Sequence, residues 1–331
     1  MSEETNHHQQ DETEAPDEWT VLADTYTSVL VPSFAPIYDA VADYVINGSA
    51  KRGELKVLDF GCGPGEPTLT IARRKTVSKV VGVDSTRSML DKAARRLAKH
   101  PEELSKNVIF NHVRRDVKMK DLSKTTGGDD TFDWVVSTFV LHYVEFSRRV
   151  ELVSQFLKQA PNVLICSWGP DTKVGFLRAI KIFGTWKGGD QTKDISEVET
   201  TPEDDGTVET PRGSFTLCRK EAYQGIANQI SDGTKMDFEA KTLVLTFSSV
   251  SSLLSFLPLS TNENDIQAMW RLLVSWPSVQ VTLGDGPDHP LTFPTEVNFC
   301  HFSRTSKTKR NSEFDHDGES NDDKRSKTSQ E

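Results

Sequence analysis

The sequence predicts an α/β fold built on a mostly parallel sheet, and three observations lead there. Short continuous apolar runs recur at 57–60 (VLDF), 80–83 (VVGV) and 135–137 (VVS), as expected of strands covered on both faces. Between them lie segments with apolar residues at helical spacing, such as Met89, Leu90, Ala93, Ala94 and Leu97. Strand and helix patterns alternate as far as Trp168, which implies right-handed βαβ units.

The elements follow in order. Phe34, Ile37, Tyr38, Val41 and Val45 mark an amphipathic helix starting near Pro32, and Trp19, Leu22, Tyr26 and Leu30 a shorter one ahead of it. Lys56–Phe60 is the first strand, followed by a Gly-rich turn and a helix from Pro67 to about Arg74. Lys79–Val83 is the second strand and Arg87–His100 the next helix. Val108–Val113 and Phe132–Ser137 read as strands three and four, Phe146–Ala160 as a helix, and Asn162–Trp168 as strand five. Beyond Trp168 the rhythm loosens. Helices are expected at Val174–Phe183, Arg219–Ile230, Val250–Leu257 and Asp265–Trp276, with strands at Lys241–Phe247 and Thr292–Phe302. Two late strands reached by a long excursion fit an antiparallel addition at the sheet's edge.

Charge sets the boundaries. The net charge of the 331-residue chain is −10; seven acids and no Lys or Arg lie in residues 1–18, so everything after Glu18 carries −3. A near-neutral body lacks the basic face of a nucleic-acid binder, and an acidic start does not resemble a mitochondrial transit peptide. Residues 304–331 mix seven basic with seven acidic residues around one aromatic, Phe314, too little apolar surface to offset the entropy of ordering. The expected organisation is a disordered acidic tail over 1–18, one elaborated domain over 19–303, and a disordered charged tail over 304–331. Residues 188–213, with eight acids, four Gly and two Pro, read as an acidic loop insertion, either a lid or inert. No run reaches the ~20 apolar residues of a membrane span. Four Cys without a CxxC pair exclude a zinc ribbon or disulfide scaffold, and no secretory signal is evident. A cytoplasmic location is expected, with the basic pieces Lys307–Arg310 and Lys324–Lys327 leaving a nuclear one open.

The chemistry concentrates in the stretch from Val57 to Glu66, VLDFGCGPGE. A strand ends in Asp59, and Gly61, Gly63 and Gly65 follow at alternate positions before a helix opens. Glycines there let backbone approach a ligand closely, and the helix start offers unpaired N–H groups to an anion. Glu66 stands where the third glycine of a dinucleotide fingerprint would fall, and the Asp59 carboxylate sits where a pyrophosphate would approach. A nicotinamide enzyme is therefore disfavoured.

The DFGCGPG of residues 59–65 resembles the first motif, D-x-G-x-G-x-G, of the class I S-adenosylmethionine-dependent methyltransferases. The resemblance implies a Rossmann-like, doubly wound, mostly parallel seven-stranded sheet with an antiparallel edge strand and helical additions, and S-adenosylmethionine as cofactor. It gives Asp59 the methionyl ammonium and the glycine-loop N–H groups its carboxylate. Asp84, closing the second strand, would accept the ribose hydroxyls, with Ser85 beside it in the same cofactor site; the alternative is a helix N-cap there, a role open also to Ser85. Met89 would pack on the adenine or simply in the core. Asp116 and Val117 match positions that hold the adenine amino group and flank the ring, in what is otherwise an ordinary charged loop. Ser137, at the end of strand four, would face the sulfonium, and Tyr26 is placed to contact the cofactor as the N-terminal helix closes over it, or else is a packed aromatic.

Residues 132–144, FDWVVSTFVLHYV, resemble the small-molecule branch of that family (ubiquinone/menaquinone-type, methyltransferase type 11-like). They contain neither the [DN]-P-P-[YF] of base or glutamine methyltransferases nor a strand-end Asp for magnesium, so no metal is expected. The implied reaction moves a methyl group to an O, N or C nucleophile of a small molecule. A cofactor-binding subunit without activity, or a protein or RNA methyltransferase, is the alternative. His142 is the candidate general base, with an unperturbed pKa near 6.5, or else a packed histidine. Trp168, Phe176, Trp186 and Tyr223 are either pocket or core.

Overall fold

The computed structural model describes residues 18–49, 53–114, 131–189, 191–192, 194–195, 213–230, 233–257, 261–276 and 281–304. Asp116, Val117, most of both charged tails and most of the 188–213 insertion lie outside those residues.

Each apolar run forms a strand, and neighbouring residues in each run face opposite ways. β1 (Leu55–Phe60), β2 (Val77–Asp84), β3 (Val108–His112), β4 (Trp134–Thr138) and β5 (Asn162–Trp168) pair in parallel in the order β3-β2-β1-β4-β5. Val57, Val80, Val136 and Leu164 join one core layer, whereas Leu58, Val81, Val135 and Val163 join the other. Strands buried on both faces need helices on both.

The first face is covered by α1 (Glu18–Thr25), a π-helical turn at Tyr26–Leu30, α2 (Val31–Ser33), α3 (Ala35–Asn47) and α4 (Thr68–Ala72). The other is covered by α7 (Phe146–Gln159) with Leu152, Val153, Phe156 and Leu157, and by α9 (Lys220–Gln229) with Tyr223 and Ile226. Between these in the chain come α5 (Arg87–Leu97), α6 (Glu102–Ser105) and α8 (Gly175–Gly188). No single helix among the described residues is long and apolar enough to cross a membrane.

The late strands complete the sheet. β8 (Leu291–Arg304) lies antiparallel between β5 and β6 (Thr234–Phe247), and short β7 (Thr282–Leu283) pairs with β8 off the main path. β6 starts seven residues before the expected Lys241, because its first half, TKMDFEA, is a half-exposed edge with no apolar run. Helices α10 (Val250–Leu254) and α11 (Glu263–Ser275) pack with α8 over the ribbon's far end. An Asn262/Asp265 capping box opens α11, satisfying two of the N–H groups a helix start leaves unpaired.

Candidate functional site

The carboxyl ends of β1, β2 and β4 meet at the glycine-rich turn. The Gly61 and Cys62 N–H groups both donate to the Val83 carbonyl, at 2.8 and 3.0 Å, tying the turn to β2. Gly61 has φ +80°, and a Cβ added there would meet Val140 Cγ2 at 2.2 Å. Gly63 has φ +50°, yet a Cβ there meets nothing within 4 Å. Space has thus been left beside position 63 and closed at position 61. Gly65, at φ +100°, faces the packed side of the turn.

A clamp not anticipated from sequence holds this turn from the α5 side. Arg96 donates to the Pro64 carbonyl at 2.7 Å and pairs with Glu66 at 2.8 Å; Glu66 also pairs with Arg73 and accepts from the Thr70 N–H. Glu66, where a dinucleotide fingerprint would have glycine, is a structural anchor with a side chain only 4% exposed.

The two carboxylates differ. Asp59 is fully buried; one oxygen accepts from the Thr68 hydroxyl at 2.5 Å, and the other, Oδ1, has no partner. Burial pushes its pKa up to about 7, with the Thr68 bonds pulling the other way and Asp84 and Glu66 adding to the rise. Asp84 is half-buried at the end of β2 and accepts the Gly63 N–H and the Thr86 N–H, each at 2.8 Å. Thr86, rather than Ser85, is the N-cap residue of α5; the Ser85 carbonyl instead lies 3.1 Å from His112 Nε2. Met89 is buried in the first turn of α5.

At the end of β4, the Ser137 hydroxyl donates to the Phe60 carbonyl at 3.1 Å. Phe139 follows with φ +58°, strained for a non-glycine residue, and stacks on Trp168 with ring centroids 3.8 Å apart. Trp168, Phe176 and Tyr223 are core residues: Phe34 and Phe139 enclose the first two, and the Tyr223 hydroxyl bonds Ser167 at 2.5 Å. Trp186 packs against Phe183.

His142 lies in the 3₁₀ turn after β4, 1% exposed, with neither ring nitrogen hydrogen-bonded. Burial, reinforced by the Arg149 guanidinium, lowers its pKa to about 3. The neutral form of its imidazole is thereby favoured. Arg149 instead bonds the Leu141 and His142 carbonyls and the Thr216 hydroxyl, fastening the turn to the segment after the acidic insertion.

Tyr26 comes from the π-helical turn and sits edge-on to Trp19 and Phe34. Burial pushes its phenol up to about 12, with Tyr143 and Asp84 contributing. The structure therefore brings Tyr26, Asp59, the three glycines, Asp84 and Ser137 to one sheet edge. No cluster of three or more metal-ligating side chains occurs among the described residues.

Known proteins are similar to part of this chain. Residues 57–160 match the family model of a methyltransferase domain. A trans-aconitate 2-methyltransferase of Variovorax paradoxus is 46% identical over 50 residues, 15% of this chain and 19% of its own length. An uncharacterized methyltransferase of Schizosaccharomyces pombe is 34% identical over 90 residues, 27% of this chain and 31% of its own. The chain therefore spans less than a third of these curated relatives. Among solved structures, the YcgJ protein of Bacillus subtilis superposes with a TM-score of 0.48 at 18% identity, covering 80% of this chain and 98% of its own. Over residues 57–160, therefore, the chain is similar to a methyltransferase domain.

Proposed function

We propose that the chain transfers a methyl group from S-adenosylmethionine to an O, N or C nucleophile of a small molecule. The observation that carries this reading is the buried Asp59 oxygen without a partner, beside the open space at Gly63. An unpaired buried carboxylate oxygen is costly, and a cofactor ammonium would satisfy it. Asp84 would exchange its Gly63 N–H bond for the ribose hydroxyls, freeing that N–H for the cofactor's carboxylate.

The cofactor supplies an already activated methyl group, and the chain's own task is alignment and exclusion of water. Holding nucleophile, methyl and sulfur in line can supply ~7–11 kcal/mol of the barrier. The Ser137–Phe139 strand end, fixed by the Phe60 carbonyl and the Trp168 stack, is the rigid wall such alignment needs. With His142 buried, a hydroxyl or amine acceptor would shed its proton to solvent as the transfer proceeds.

Calorimetry with S-adenosylhomocysteine tests the cofactor assignment, and labelled-methyl transfer into a metabolite extract tests the reaction. Asp59→Asn is expected to weaken binding at least tenfold at pH 8. Unchanged affinity would remove the ammonium role of Asp59.

A further inference from the structure

A cavity of about 110 Å³ lies under the N-terminal helical segment, lined by neither the glycines nor Asp84. Its walls are Trp19, Leu22, Tyr26 and Leu30 from the N-terminal helical segment, Tyr143 from the turn after β4, and Phe256 from beyond α10. Glu18 and Thr25 also reach it, and none of its lining residues is a Lys or Arg. Three chain segments far apart in sequence thus converge on one apolar slot.

Tyr26 lines this cavity and stands close enough to Asp84 to feel its charge, so the cavity borders the candidate cofactor groove. Behind Tyr26, Phe34 packs edge-on against it at 6.5 Å and against Phe139 at 6.1 Å. Two rings thus separate the cavity from Phe139 on this side, while Tyr143, four residues further along the chain, lines it directly. At its mouth, Trp19 is edge-on to both Tyr26 and Tyr143, at 6.4 and 5.5 Å, and Tyr143 is 40% exposed.

We propose that this cavity holds the methyl acceptor, and that the part of the acceptor it holds is an uncharged aromatic ring. The inference rests on the methyl-transfer reading above and adds the substrate class. Size favours one ring, since an apolar cavity of ~150 Å³ takes up benzene. Wall chemistry favours a planar apolar body, because edge-on aromatics offer faces and edges for offset stacking. Charge excludes an anion: Glu18 and the nearby Asp84 would repel it, no cation would pair with it, and an unpaired buried charge is heavily penalised. The aromatic rings and Glu18 would also attract a cation, so the amine probe below decides between a neutral and a cationic ring.

A matched series of one-ring probes tests this: 4-methylphenol, 4-methylbenzoate and 4-methylbenzylamine. Each is titrated by saturation-transfer NMR into the full chain, with and without S-adenosylhomocysteine. The neutral phenol should bind at least tenfold tighter than either charged probe, without displacing the nucleoside. Phe256→Arg should weaken the phenol at least tenfold and turn the preference toward the benzoate, with nucleoside affinity unchanged. Leu22→Arg should give the same reversal should Phe256→Arg fail to fold. Equal binding of the three probes, or tighter binding of the amine or the carboxylate, would overturn the proposal. So would displacement of the nucleoside by the phenol, which would make the cavity part of the cofactor groove. Loss of nucleoside binding with the phenol retained would instead refute the methyl-transfer reading and the acceptor role with it.

Discussion

The contrast between Gly61 and Gly63 separates the fold from the function of one turn. Both have positive φ, so alanine at either costs about 1–2 kcal/mol of backbone strain. At Gly61 the new methyl would lie 2.2 Å from Val140 Cγ2, so something must move by more than 1 Å to restore ordinary contact. Val140 is β-branched and stiff, and its neighbour Phe139 is already strained. Overpacking of that kind costs a further ~1–3 kcal/mol. Gly61→Ala is therefore expected to lose about 2–5 kcal/mol, a large part of the ~5–15 kcal/mol that holds a domain together. At Gly63 the methyl enters open space, so only the backbone term applies, but that space is where the cofactor is assigned. Gly63→Ala should lose about 1–2 kcal/mol of stability and at least tenfold in S-adenosylhomocysteine affinity, about 1.4 kcal/mol. Urea unfolding followed by tryptophan fluorescence gives the first quantity and calorimetry the second. Wild-type nucleoside affinity in Gly63→Ala, or a wild-type urea midpoint in Gly61→Ala, would refute this division of labour.

Four further outcomes are expected. The Asp59 pKa is raised on folding from near 4 to about 7. The nucleoside-free protein should thus lose stability as pH rises through that window, by about 4 kcal/mol at most, and Asp59→Asn should flatten the profile in pH-dependent urea titrations. Because an ammonium favours the charged carboxylate, nucleoside affinity should rise by up to about tenfold per pH unit from pH 5 to 7, with proton release visible in buffers of different ionisation enthalpy. Arg96→Met leaves Glu66 buried without its closest partner and should cost about 3 kcal/mol; an unchanged thermal midpoint would dismiss the clamp. His142→Phe removes two unpaired buried nitrogens and should change stability by less than about 1 kcal/mol. Its kcat/KM toward an identified acceptor should fall less than tenfold, and a fall of 10²-fold or more would restore His142 as the base.

What the sequence made legible follows from burial. VLDF, VVGV and VLICSW are covered on both faces, so their apolar runs announce strands without reference to anything distant. The Asp59–Gly65 motif is likewise local, because a strand, a turn and a helix start are contiguous in the chain. The first half of β6 has no such signal: an edge strand half open to water can be Lys, Asp, Glu and Thr as readily as Val. Glu66 and Arg96 meet across 30 residues, and Tyr143 and Phe256 line one cavity from opposite ends of the domain. Neither pairing leaves a periodicity to read. The left-handed Phe139 was hidden for another reason, since the residue type gives no hint of a conformation that its stacking against Trp168 supports.

The position of β8 bears on how this protein can be divided and in what order it is finished. β8 is the last strand described, yet it is the inner neighbour of β5 and carries β6 on its far side. A fragment ending after Trp168 would hold the whole glycine turn but present Val163–Trp168, every residue of it buried in the native chain, as a bare and adhesive edge. The segment that matches the methyltransferase domain is therefore not a module that can be excised and grafted elsewhere. On the ribosome the same geometry leaves the β5 edge of the sheet open from the emergence of Trp168 until β8 has followed.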